Sequence, residues 1–379
     1  MLAHFGHHLL AALLIPLLPF IRDDFALDYT QAGWLVSAFT LSYGISQLPA
    51  GWLADRIGTR IVLTIGISGV ALSGLLVGLS PTYIMMILFL VLLGATGGGY
   101  HPASAPLVSA SVEPKNRGSA LGLHQIGGSA SFFLAPLIAV AIATALGWRG
   151  SFITLAIPIM VFGIVFYVLL GRRGYSKKSK HPMPQSHTEA PPIPGRLRRL
   201  TAFIILGIAN QSLIMSIISF ISLFIVDHFG VSEEAAAALL ALFYSAGLWA
   251  GPLGGYLSDH LGKVPVILVA SLIAGPIIYL LNVVPYGWGI SAVLLILGMC
   301  QMVCMPVSEA YIISRTSERR RSTILGIYYF GSRGGPGALT PVLGYLIDRF
   351  GFYTGFTTMG ATLLAVTLGC SIFLWGSRD

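Results

Sequence analysis

Arg333 is the one basic residue, and Glu309 the one acid, set deep within long apolar runs, where His7, His8, His101 and His124 also lie. A charge at the centre of a bilayer costs at least about 2.5–3.5 kcal/mol on insertion scales, so each such group invites a functional reading. A guanidinium fits a carboxylate or phosphate through two parallel hydrogen bonds and does not usefully release its proton, which makes Arg333 a candidate for holding an anion. A structural ion pair, with Glu309 as partner, is the competing reading. Glu309 is the first candidate for a proton carrier, with His8 and His101 behind it because imidazole titrates near neutrality. Any of these histidines could equally be a hydrogen-bonded packing residue. Neither a GxSxG nor an HExxH motif nor an ATP-binding P-loop occurs, so an enzyme or a directly ATP-driven pump is not expected. Cys300, Cys304 and Cys370 all sit in apolar runs and offer no disulfide framework or zinc site, and no metal or cofactor is expected.

These residues must be positioned by membrane-spanning helices. Of 379 residues, 55% are hydrophobic and 9% charged, with a mean hydropathy of +0.82, which excludes a water-soluble globule. Cutting at charged and turn-rich points gives twelve apolar stretches, near 3–22, 30–53, 61–80, 83–110, 118–146, 150–171, 200–226, 234–257, 264–283, 287–313, 322–347 and 352–376. The first is read as a retained helix rather than a signal peptide. Residues 172–199 are basic and proline-containing, the composition of a linker, and divide the chain into 1–171 and 200–379. Of the 22 Lys and Arg residues, 18 fall in one set of alternate loops and 3 in the other, so both termini and the linker are expected in the cytoplasm. Topology then explains the formal charge of +8, and nucleic-acid binding loses its support. An integral, multi-pass protein of the cell's inner membrane is expected.

The sequence repeats at an offset of 204 residues. Phe20, Ile21, Asp23 and Phe25 fall on Phe224, Ile225, Asp227 and Phe229. Gly51, Leu53, Asp55 and Gly58 fall on Gly255, Leu257, Asp259 and Gly262, and Pro102, Arg117, Gly122 and Gly127 on Pro306, Arg321, Gly326 and Gly331. Chance apolar matches do not produce paired Asp, Arg, Pro and Gly. Two parallel copies of six spans, with a solute site between them at mid-membrane and alternating access by rocking, are the expectation. Gln211 and Ser212 sit at the repeat positions of His7 and His8, and Tyr328 and Tyr329 at those of His124 and Gln125, so both halves offer polar groups at matching depth.

The segment Gly51-Trp52-Leu53-Ala54-Asp55-Arg56-Ile57-Gly58-Thr59-Arg60, with its second copy Gly255-Tyr256-Leu257-Ser258-Asp259-His260-Leu261-Gly262-Lys263, resembles the signature loop of the major facilitator superfamily. Within it, His4-Phe5-Gly6-His7-His8, Tyr100-His101-Pro102 and Arg117-Gly118 with His124-Gln125-Ile126-Gly127-Gly128 are similar to the fosmidomycin-resistance type of efflux protein. Leu93 stands where the superfamily usually has an arginine, and Ala135-Pro136 replaces the Gly-Pro of antiporters.

The resemblance implies an all-α polytopic membrane protein of twelve transmembrane helices in two pseudo-symmetric six-helix bundles, working as a secondary active transporter of a small organic solute, which Arg333 leads us to expect is anionic. Proton-coupled efflux by antiport is the leading expectation. Uptake of an organic anion by proton symport is the alternative, and a non-transporting receptor or intramembrane enzyme a more distant one. The expected solute site comprises Arg333, His124, Gln125, His101, Gln211, Tyr328 and Tyr329, with Glu309, His8 and His101 as proton-coupling groups. Gly51, Asp55, Arg56, Gly58, Arg60, Arg117, Gly255, Asp259, Gly262 and Arg321 form the expected cytoplasmic gate. A third motif copy, Gly344-Tyr345-Leu346-Ile347-Asp348-Arg349-Phe350-Gly351, lies at the opposite end and is read equally as a gate or a glycine-stopped helix. The partners are a small solute, protons and the lipid bilayer, and one chain suffices as a monomer.

Overall fold

A computed structural model describes residues 1–113, 116–172 and 196–374; most of the expected linker lies outside these residues, as do the surroundings of Gly51 and the side chains of Asp55, Arg117 and Arg321. Its regular structure is entirely helical, which is what a chain in lipid requires when each backbone N–H and C=O must find its partner within the segment. The helices are α1 (Leu2–Ala11), α2 (Leu14–Phe25), α3 (Tyr29–Ile57), α4 (Thr59–Thr64), α5 (Val70–Gly78), α6 (Tyr83–Gly97), α7 (Tyr100–Ala110), α8 (Arg117–Arg172), α9 (Arg196–Phe229), α10 (Glu233–Ser245), α11 (Ala250–Leu261), α12 (Lys263–Leu280), α13 (Trp288–Arg315) and α14 (Glu318–Leu374). Several expected spans are broken. The first is α1 plus α2, the third is α4 and α5 joined by a π-turn at Ile65–Gly69, and the fourth is α6 plus α7. Conversely, α8 and α14 each hold two expected spans joined at a non-helical glycine, Gly147 and Gly351. α3 is long enough to span but, unlike its neighbours, does not reach the apolarity of a membrane helix.

The duplication is written into the backbone. Of seven described residues with positive φ, six form three pairs 204 residues apart: Ala26 and Gly230 (φ 53° and 63°), Gly58 and Gly262 (91° and 89°), and Gly147 and Gly351 (73° and 79°). The N-caps of α3 and α10, Asp28 and Ser232, make a fourth pair at the same offset. Asp28 closes a capping box, accepting from the Gln31 amide at 2.6 Å while its own amide donates to Gln31 Oε1 at 3.0 Å. Gly58 and Gly262 combine their positive φ with ψ of 143° and 153°, a conformation essentially reserved for glycine, which explains why both copies of the loop motif carry it.

α3 and α14 pack closely side by side. A Cβ added to Gly33 would come within 2.9 Å of the Thr340 carbonyl, and one on Gly44 within 2.8 Å of the Gly334 Cα. At Gly122, Gly255 and Gly326 an added Cβ would meet nothing within 4 Å. The two copies are also tied by charge: Arg22 of α2 pairs with Asp227 of α9, Tyr29 Oη donates to Asp227 at 2.6 Å, and Asp348 of α14 accepts from the Tyr29 and Thr30 amides at 2.9 and 2.8 Å. Among the described residues, the ion pair and carboxylate hydrogen bonds between the two copies therefore gather at the end carrying Asp227 and Asp348, opposite the end carrying Gly58 and Gly262.

Candidate solute cavity

A cavity of about 570 Å³ lies between the two copies of the repeat, within the range of small-molecule sites. Its walls are mostly apolar, from residues such as Ile15, Phe39, Phe132, Met215 and Met302, with a few polar groups converging from separate helices. These include His8 of α1, Tyr43 of α3, His101 of α7, Gln125 of α8, Gln211 of α9, Tyr244 of α10, Gln301 and Glu309 of α13, and Arg333 of α14.

Arg333 is half-buried, and one of its NH groups donates to Met305 Sδ at 3.4 Å. Among the described residues no carboxylate forms an ion pair with it, Glu309 included. A thioether is a weak acceptor for a cation with five donors, so most of the guanidinium's hydrogen-bonding capacity is left to the cavity. Glu309 shares the cavity wall, with Tyr329 as its polar neighbour.

The histidines form one cluster on the other side. His4 Nδ1 lies 2.8 Å from the His124 carbonyl and His7 Nδ1 2.7 Å from that of Gly66. A carbonyl only accepts, so both rings donate from Nδ1 and keep their lone pair on Nε2. His4 stacks on His124 with ring centroids 4.3 Å apart, and His7 on Tyr100 at 4.4 Å. His8 Nε2 meets His101 Nε2 at 3.1 Å.

Arg333, Glu309, His8, His101, Gln125 and Gln211 thus line a single cavity. His124, Tyr328 and Tyr329 do not: His124 backs His4, Tyr328 is buried against Gly207, and Tyr329 stands beside Glu309. Gln301, His4, Tyr43 and Tyr244 line the cavity without having been singled out from sequence. For Gln301 a signal existed, since an amide eight residues before Glu309 on one helix shares its face. Gln301 is 2% exposed, and neither its amide oxygen nor its nitrogen has a partner among the described residues.

At the end carrying Gly58 and Gly262, two of the expected gate residues, Arg56 and Arg60, meet partners within their own copy of the repeat. Arg56 lies over the Trp52 ring at 4.2 Å. Arg60 lies over Tyr167 at 3.6 Å, with its Nε donating to the Tyr167 carbonyl at 2.9 Å. Asp259 is exposed.

The sequence profile of the Major Facilitator Superfamily matches twice, at residues 1–221 and 203–379, covering the chain end to end. The chain belongs to this superfamily. It is a multi-pass membrane transporter of a small solute and not an enzyme. Among its relatives, the fosmidomycin resistance protein of Escherichia coli K12 is 24% identical over 356 residues, 92% of this chain and 85% of that one. The hexuronate transporter of Bacillus subtilis 168 is 25% identical over 259 residues, 65% of this chain and 59% of that one. The fold matches the crystal structure of a bacterial homologue of the human lysosomal transporter Spinster with a TM-score of 0.76, at 16% identity, over 98% of this chain and 93% of that one.

Proposed function

We propose that this superfamily member carries a small organic anion across the inner membrane by alternating access, with proton-coupled efflux as the direction of work. The observation that carries the proposal is Arg333: a fixed cation in the cavity wall whose only described partner is a sulfur atom. Leaving such a charge in an apolar wall is costly, and an anionic solute taking the free fork of the guanidinium offsets that cost. The name of the hexuronate relative supports an anion, and that of the fosmidomycin relative supports efflux.

In this reading the two copies, 1–171 and 200–379, are the rocking bodies of twelve crossings, and 172–199 is the cytoplasmic tether. With the termini and the Gly58 and Gly262 loops in the cytoplasm, the tied end faces outward, and an inward-open state is the reading this arrangement supports. Arg22, Asp227 and Asp348 then close the outer side. Glu309 carries the proton, exchanging it with water when the cavity is open. One chain supplies both halves of the site, so a monomer suffices.

The test is transport by the purified protein in proteoliposomes with an imposed pH gradient, screening carboxylates, sulfonates and phosphonates. The expected result is solute movement against its own gradient, opposite to the proton flow and abolished by a protonophore. Accumulation in the same direction as protons would make the protein a symporter. Flux indifferent to the gradient would remove the proton from the account.

A further inference from the structure

The structure assigns to His4, His8 and His101 a binding site for one divalent first-row transition metal ion, such as Zn²⁺, at the wall of the central cavity. One ring nitrogen from each of the three lies within 4.8 Å of the others. No metal or cofactor is expected from the sequence, because the three cysteines sit in apolar runs and His101 lies 93 residues from His8.

His8 and His101 alone would not make the case. Their Nε2 atoms, 3.1 Å apart, could share one proton as an ordinary N–H···N hydrogen bond. The same spacing also suits two ligands of one tetrahedral ion, whose nitrogens, at about 2.0–2.1 Å from the metal, lie roughly 3.3 Å from each other. His4 separates the two readings. Its Nδ1–H is committed to the His124 carbonyl, so Nε2 carries a lone pair. That Nε2 is buried in a residue 1% exposed and has no partner among the described residues. A buried acceptor without a donor is costly, and a cation satisfies it. The Nδ1–H to carbonyl bond is also the arrangement that fixes tautomer and ring orientation in metal-ligating histidines.

Three neutral imidazoles suit zinc, copper or nickel rather than magnesium or calcium. They leave both charges of the ion uncompensated, and His8 and His101 open onto the cavity, so the remaining coordination position faces it. This assignment does not depend on the anion reading of Arg333.

Titration of the detergent-purified full chain, carrying an affinity tag without histidine, with Co²⁺ and Zn²⁺ tests it. One Co²⁺ per chain is expected, with the strong visible absorption of a four-coordinate nitrogen site, displaced by Zn²⁺ and accompanied by a rise in melting temperature. His8→Gln and His101→Gln are expected to weaken binding by roughly a hundredfold or more, and the exposed His260→Gln to leave it unchanged. Absence of saturable binding and of any rise in melting temperature in the parent protein would overturn the site, and this readout needs no variant to fold. Undiminished binding by both His8→Gln and His101→Gln would overturn it equally.

Discussion

Asp348 holds Thr30 twice, accepting from its amide at 2.8 Å and from its hydroxyl at 2.5 Å, and so joins residues 318 positions apart at the tied end of the transporter. The same carboxylate accepts from the Tyr29 amide. It therefore satisfies two of the free N–H groups at the start of α3 and places a negative charge at the positive end of that helix. The third motif copy is thus not merely a glycine-stopped helix end, since its aspartate spans the interface between the halves.

Asp348→Asn keeps the shape but removes the charge that strengthens these bonds. It should shift the population toward opening of the tied end. With the native cysteines replaced by serine, a cysteine at Thr340, buried in the α3–α14 contact, should react with a water-soluble maleimide severalfold faster in this background. Unchanged labelling would mean that apolar packing and Arg22–Asp227 hold the end shut without Asp348.

Glu309→Gln removes the carboxyl proposed to carry the proton and keeps the side chain's size. Transport driven by a pH gradient should fall to background, while exchange of labelled against unlabelled solute should persist within about twofold. Should gradient-driven transport survive, the proton must be carried elsewhere, and His8 and His101 are next on the same wall.

Gly351 joins the last two helical segments at φ 79° and ψ 168°, a region where a side chain is strained. Gly351→Ala should destabilise the protein by about 1–3 kcal/mol, seen as a lower melting temperature in detergent. Gly122→Ala, where an added Cβ meets nothing, should not. Equal melting temperatures would show that the bend at Gly351 relaxes without cost.

The fold was legible because duplication left marks that apolar composition cannot imitate: the matched Asp, Gly and Arg positions at an offset of 204 revealed two copies, and the backbone repeats at the same offset, at Gly58 and Gly262 among its positive-φ turns and at Asp28 and Ser232 as N-caps. The breaks within spans were not legible. In the third span the π-turn at Ile65–Gly69 falls on Gly66, Ser68 and Gly69, but small residues in a membrane helix are equally the mark of close helix packing, so they do not by themselves announce a break. In the cavity, Arg333 and Glu309 stood out because charge is rare in lipid, and the repeat brought Gln125 and Gln211 to notice. The same argument also nominated Tyr328 and Tyr329, which stand behind the cavity lining, Tyr329 beside Glu309, because the repeat fixes height along a helix and not which neighbour a side chain meets. Gln301 gave no signal because a lone amide carries no charge, and His4 appeared only as part of the opening motif because its place in the cavity wall depends on a carbonyl 120 residues away.

Binding of a panel of organic anions to the purified parent protein and to Arg333→Ala, by equilibrium dialysis, tests the central claim most directly. The parent should bind at least one carboxylate, sulfonate or phosphonate, Arg333→Lys should weaken it by about tenfold or more through loss of the paired donors, and Arg333→Ala should nearly abolish it with no loss of folded protein. Undiminished anion binding by Arg333→Ala, or a neutral or cationic solute bound as tightly by that variant as by the parent, would contradict the account and leave Arg333 a structural residue.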